Sequence, residues 1–136
     1  EKHGEVLYGM IKEKSDTVFY VHGGTDVSDR EAIRGIVERS DGAIIVASMG
    51  TFSTGINIKN LHNIVFASPS KSQVKVLQSI GRGLRKSDNG QGTLLFDLSD
   101  DLSVKSKKNF TLKHAGERVK MYNTEKFNLE IHKVKL

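Results

Sequence analysis

The 136-residue chain has no cysteine, no tryptophan and a single proline. Without cysteine there is no disulfide and no thiolate metal site, which excludes disulfide-stapled folds and zinc-ribbon modules. The five histidines (His3, His22, His62, His114 and His132) show no metal-ligand spacing, and no metal is assigned to them. No apolar stretch approaches the roughly 20 residues that a membrane helix needs, so a cytoplasmic protein with no membrane partner is expected. The opening Glu1-Lys2-His3-Gly4-Glu5 does not resemble a secretory leader. A helical pattern begins almost at once, so the chain reads as a piece of a longer protein.

At 37% hydrophobic and 27% charged residues, the composition is that of one globular domain. Charge is unevenly spread. Residues 1–102 hold 12 Lys/Arg against 13 Asp/Glu, whereas residues 103–136 hold 9 against 3. The whole net charge of +5 therefore lies in the last quarter, and the chain divides into a domain over 1–102 and a basic C-terminal extension over 103–136. Such a tail suits a phosphate backbone, or is simply a solvated lysine-rich face.

Helix and strand patterns alternate along 1–102. Val6, Leu7, Met10 and Ile11 recur at helical spacing over 5–13. Residues 17–21, 43–47, 63–67 and 92–98 are short apolar runs bounded by turn residues, which predicts four buried strands. Between the first two, Ser28 and Glu31 fit a capping box, and Ala32, Ile33, Ile36 and Val37 form an apolar stripe. A polar, glycine-containing loop is expected from Ser48 to Asn60 and a helix from Ser68 to about Lys86. This alternation predicts an α/β fold, a parallel sheet with helices on both faces. Beyond it, one long basic helix is expected over 104–127 and a strand over 128–136.

Three places could carry chemistry. Within the helix ending near Lys86, Gln78, Arg82 and Arg85 stand at i, i+4 and i+7 and share one face, with Leu77, Ile80 and Leu84 on another. Gly81 and Gly83 are poor helix formers at about 1 kcal/mol each, and they suggest close approach by another group. Two guanidiniums on one face can hold a terminal phosphate and neutralise charge during phosphoryl transfer; alone, they could equally be surface arginines. The segment from Ser48 to Ile58 follows a strand and is rich in hydroxyls and small residues. Ser48, Thr51, Ser53 and Thr54 could donate to phosphates there, with Gly50 and Gly55 letting backbone N–H groups turn outward, or the hydroxyls could merely cap a helix. His22-Gly23-Gly24-Thr25 follows the first strand and precedes a helix, where amides bind anions readily; a tight strand–helix turn explains it as well.

Taken in order along one α/β chain, the three resemble a known family. Gln78-Ser79-Ile80-Gly81-Arg82-Gly83-Leu84-Arg85 looks like motif VI of superfamily 2 helicases, Q-x-x-G-R-x-x-R. Ser48 through Asn57 resembles motif V, with Gly55 and Asn57 matching its close, and His22–Thr25 is similar to the backbone-gripping segment after motif IV. The resemblance covers about residues 5–98 and implies the second RecA-like domain of a P-loop NTPase-type motor. It implies that Arg82 and Arg85 are arginine fingers for an ATP γ-phosphate and that Gln78 couples that site to a neighbouring domain. Gly55 and Asn57 would approach the nucleotide, and Gly24, Thr25, Ser48 and Thr51 would touch the backbone of a single strand. Further implied are a DNA helicase activity on branched DNA, in recombination, repair and replication restart, and an N-terminal RecA-like domain as partner.

The sequence holds no G-x-x-x-x-G-K-[ST] and no D-E-x-[HD] run, so nothing in it cradles the β- and γ-phosphates or presents a hydroxyl to Mg²⁺. ATP with Mg²⁺ would be held mainly by the N-terminal domain, and this chain alone is expected not to hydrolyse ATP. Two other readings compete with the helicase one. The first is a stand-alone basic nucleic-acid-binding module working through 103–136. The second is a small-molecule α/β enzyme using the Ser48–Asn57 loop, which lacks any discernible acid/base pair or nucleophile.

Overall fold

A computed structural model of the chain describes residues 2–55, 58, 61–68, 92–104 and 109–135, the side chains of 53–55 aside. They fall into two compact units.

The first unit begins with α1 (Lys2–Lys12), β1 (Val18–Val21), α2 (Val27–Val37), β2 (Ile44–Ala47) and α3 (Met49–Gly55). β1 and β2 pair in parallel, with Val18 beside Ile44 and Val21 beside Ala47. Their apolar runs supply the core: Val18, Val21 and Val46 are buried. α2 is the crossover that a parallel pair requires.

α1 packs on both strands, but not through the expected stripe. Its half-buried face is Gly4, Leu7, Tyr8 and Ile11, whereas Val6 and Met10 are each 62% exposed. The cause is a close approach. A Cβ on Gly4 would lie 3.0 Å from the Tyr20 ring of β1, so the missing side chain lets the helix backbone settle on that ring. Tyr8, one turn further on, stacks on the same ring at 5.7 Å between centroids.

α2 also begins differently. Asp26, in extended conformation, is its N-cap and makes no side-chain cap bond. Arg30 N–H donates to the Asp26 carbonyl at 3.0 Å. The helix thus starts two residues before the expected capping box, which places Ser28 inside the first turn, where it cannot cap. Glu31 instead accepts from Arg34 Nη2 at 2.7 Å. Of the expected stripe, Ile33 and Val37 are half-buried, while Ala32 and Ile36 are exposed.

The polar loop expected from Ser48 is helical over Met49–Gly55. Ser48 starts that helix. Its carbonyl accepts from Phe52 N–H at 3.0 Å, and its Oγ lies 3.4 Å from Thr51 N–H. The Ser48 hydroxyl, which would also suit a loop, stands here at the start of a helix.

Beyond, β3 (Asn63–Phe66) pairs with β4 (Leu94–Asp97). Leu94 N–H donates to the His62 carbonyl at 2.9 Å and Leu98 N–H to that of Phe66 at 3.2 Å. Both partners advance in step, as parallel strands do. The expected helix from Ser68 to Lys86 lies outside the described residues, its first residue aside.

In the second unit, α4 (Phe110–Thr124) is shorter than the helix expected over 104–127. Asn109 stops it at one end, its side chain accepting from Thr111 and Leu112 N–H. At the other, Lys126 takes a left-handed φ of 58°. Residues 128–135 form no strand. Ile131 and Val134 stay largely uncovered among the described residues, at 72% and 78% exposure, whereas Leu129 is covered over more than half its surface, at 38%.

Candidate functional site

The carboxyl edge of the β1–β2 pair brings together two of the three places singled out in the sequence. Ser48 N–H donates to the Val21 carbonyl at 3.1 Å, extending the parallel ladder by one rung past β2. The turn 22–25 leaves β1 at that rung, and α3 leaves β2 there. Parallel strands emerge on the same side, and in open α/β sheets that side binds ligands.

The 22–25 turn is held by its own residues. His22 N–H donates to Thr25 Oγ1 at 3.0 Å, and Thr25 N–H donates to the His22 carbonyl at 3.0 Å. Gly24 N–H donates to His22 Nδ1 at 3.1 Å, which puts the ring hydrogen of a neutral His22 on Nε2. A Cβ at Gly24 would sit 3.1 Å from His22 Cε1, so glycine is what allows this closure. The His22 ring also packs on Tyr20, 5.1 Å between centroids. An aromatic row, Tyr8–Tyr20–His22, therefore runs from α1 across β1 to the turn.

From the far side, Arg30 in the first turn of α2 clasps the same segment. Its Nε donates to the Thr25 carbonyl at 2.9 Å and its Nη2 to the Gly23 carbonyl at 3.3 Å. Gly23 and Gly24 are exposed and Thr25 is half-buried. The surface offered to a ligand is thus small, backbone-lined and fixed in shape.

Across the rung, Ser48 Oγ and Thr51 Oγ1 share a hydrogen bond of 2.7 Å. Thr51 is buried, at 4% exposure, and Ser48 is half-buried. Of the other sequence-predicted residues, Gly55 ends α3. Asn57, Gln78, Arg82 and Arg85 lie outside the described residues.

The sequence reading missed Arg30, and it missed a second polar cluster. Asp97, at the carboxyl end of β4, accepts from Arg118 Nε at 2.6 Å and Nη2 at 2.8 Å, and from Tyr122 Oη at 2.6 Å. Arg118 Nη2 also reaches Ser99 Oγ at 2.7 Å. Arg118 is 1% exposed and Tyr122 4%, and Arg118 Nη1 is buried without a partner among the described residues. Burial opposes the Arg118 charge, but the hydrogen bond and charge of Asp97 more than offset it, so its pKa lies above the ordinary value. Burial, then the hydrogen bond to Asp97, pushes the Tyr122 phenol well above its usual range. The available signal was the i, i+4 spacing of Arg118 and Tyr122, one face of one helix. No described helix is long and apolar enough to cross a membrane.

The chain matches the family described as helicase conserved C-terminal domain over residues 3–87. It is 41% identical, over 144 aligned residues, to the ATP-dependent DNA helicase uvsW of Enterobacteria phage T4. That alignment covers 98% of this chain and 29% of the relative, so the chain spans less than a third of that protein. The crystal structure of T4 UvsW is similar to it with a TM-score of 0.72 and 42% identity, over 93% of this chain and 28% of that one. The family match runs from α1 through Gln78–Arg85, so the chain belongs to the helicase conserved C-terminal domain family, and its parallel strands and helices are that family's RecA-like fold.

Proposed function

We propose that the chain is the second motor domain of an ATP-dependent superfamily 2 DNA helicase or translocase. The observation that carries the reading is the shared carboxyl edge, where the 22–25 turn and the Ser48 start of α3 sit one ladder rung apart. One strand's phosphate backbone can run along such an edge and meet both. Gly24 and Thr25 form the turn that meets it, and Ser48 leads the second contact. Thr51, being buried against Ser48, acts by holding that hydroxyl. Contacts of this kind carry no base information, so binding is structure-selective or nonspecific.

Arg82 and Arg85 would be the arginine fingers, with Gln78 coupling them to the N-terminal RecA-like domain and Gly55 and Asn57 near the nucleotide. ATP with Mg²⁺ would supply the phosphoryl group whose developing charge the fingers neutralise. Because the sequence lacks the phosphate-cradling motif, that N-terminal domain would hold most of the nucleotide, and the chain alone would not hydrolyse it. Fingers that gain contacts only in the closed arrangement make closure depend on ATP, and alternating grips then move the protein along a strand. The relative's description as an ATP-dependent DNA helicase supports DNA as the track. Branched intermediates of recombination, repair and replication restart, reached by branch migration, are the substrates proposed, with a cytoplasmic setting inside an infected bacterium.

A stand-alone basic binding module is the less favoured reading. Arg118, one of the tail's cations, is buried and neutralised by Asp97 rather than offered to a nucleic acid. Arg82→Ala and Arg85→Ala in the two-domain protein decide between the readings. The motor reading expects ATPase to be lost with most DNA binding intact, whereas normal hydrolysis by both variants would sink it.

A further inference from the structure

We infer that Arg30 is a positioning residue for the strand-binding edge: it sets the shape of the 22–25 turn without itself meeting the nucleic acid. The inference rests on the proposed reading that this turn touches a phosphate backbone.

Arg30 sits five residues beyond Thr25, in the first turn of α2, and its side chain points back over the turn. Nε and Nη2 of one planar guanidinium reach the carbonyls of Thr25 and Gly23 at 2.9 and 3.3 Å. A guanidinium presents its N–H groups as a rigid fork, so two carbonyls held by it are fixed relative to each other. Carbonyl oxygens that accept from Arg30 have their negative ends engaged by a cation, which lessens the repulsion they would exert on a nearby phosphate. The peptide planes that carry them are set by the same act. Gly24, between the two, has its amide on His22 Nδ1. His22 shapes the turn from the β1 side and Arg30 from the α2 side.

Glycines at 23 and 24 make such a clasp necessary. Glycine has the most backbone freedom to lose, and a free Gly-Gly turn would have to be ordered by the ligand. The fork orders it beforehand. Among the described residues Arg30 has no acidic hydrogen-bond partner, unlike its neighbour Arg34, which is paired with Glu31 and Glu38. Its strongest directional contacts are therefore spent on the turn.

The test is the salt dependence of binding to dye-labelled oligo-dT by the full protein. A residue in contact with phosphate changes the slope of log K against log salt by about one when removed, whereas a positioning residue changes affinity alone. Arg30→Lys keeps the charge and loses the fork. We expect it to weaken binding roughly tenfold, the effect of leaving about one residue's backbone to be ordered by the DNA, with the slope unchanged. Amide exchange over 22–25 should rise in the same variant while its thermal melt stays close to that of the parent. Binding by Arg30→Lys equal to the parent's, or a slope lowered by about one in Arg30→Gln, which removes the charge together with the fork, would overturn the inference. Thr25→Val separates the two levels. If it weakens binding while Arg30→Lys does not, only the role of Arg30 fails; if neither weakens it, the reading of the turn as a strand contact fails as well.

Discussion

Replacing Arg118 by methionine tests whether the second unit is held together by one buried ion pair. The substitution keeps most of the side-chain volume and removes both hydrogen bonds to Asp97, at 2.6 and 2.8 Å, and the one to Ser99 at 2.7 Å. Breaking a buried pair from one side costs about 3–5 kcal/mol, because the remaining charge stays desolvated. Asp97 is 17% exposed on its side chain and keeps the Tyr122 hydroxyl, so water and the phenol recover part of that. The lower end, about 3 kcal/mol, is expected. In a domain of this size it corresponds to a melting temperature lower by roughly 10 °C. Removing both charges should cost much less than removing one, since a buried pair replaced by neutral groups is often close to neutral in stability. Asp97→Asn with Arg118→Met should therefore lie within about 1 kcal/mol of the parent. Urea unfolding followed by circular dichroism on the parent, both single variants and the double variant closes the cycle. A single Arg118→Met variant within about 0.5 kcal/mol of the parent would refute the argument. So would a double variant no better than the worse single one.

The places of the strands and their parallel pairing were legible because each is a short, nearly continuous apolar run between turn residues. The burial expected of all four was not met, since Ile44, Val65, Leu94 and Phe96 are exposed. β1 to β4 lie within the stretches expected. Helix faces and starts were less legible, for a reason visible at particular residues. Hydrophobic spacing alone cannot see that Gly4 allows contact with the Tyr20 ring, and that contact rolls α1 away from Val6 and Met10. Ser28 and Glu31 have the right chemistry for a capping box, but Asp26 stands two positions earlier and competes for the same role. Around Ser48, hydroxyls and small residues suit both a phosphate loop and a helix start, and α3 takes the second form. For the candidate site, sequence order already put the 22–25 turn and Ser48 at strand ends. Their adjacency depends on the parallel register of β1 and β2, which the strand patterns imply only as a class. Arg30 and Arg118 look like ordinary surface cations in the sequence. Their roles come from acceptors that the fold brings to them.

Two glycines should respond to alanine in opposite directions. Gly116 lies inside α4, and a methyl group added there would meet nothing within 4 Å. Gly116→Ala should therefore stabilise by up to about 1 kcal/mol, whereas Gly42→Ala, at φ +79°, should lose about 1–2 kcal/mol; thermal melts of both check the pair. Tyr122 gives a pH prediction. Its folded pKa is raised by burial and by Asp97, so the folded state binds the phenol proton more tightly than the unfolded one. The stability this contributes is fully present below the unfolded value of about 10 and is lost as pH rises towards the folded value. While the protein stays folded, the tyrosinate absorbance gained up to the unfolded value of about 10 should therefore be the same in the parent and in Tyr122→Phe, because Tyr122 adds nothing to it. A parent step larger by one phenol, with circular dichroism still native, would show that Tyr122 ionises freely and that the Asp97 contact does not hold it.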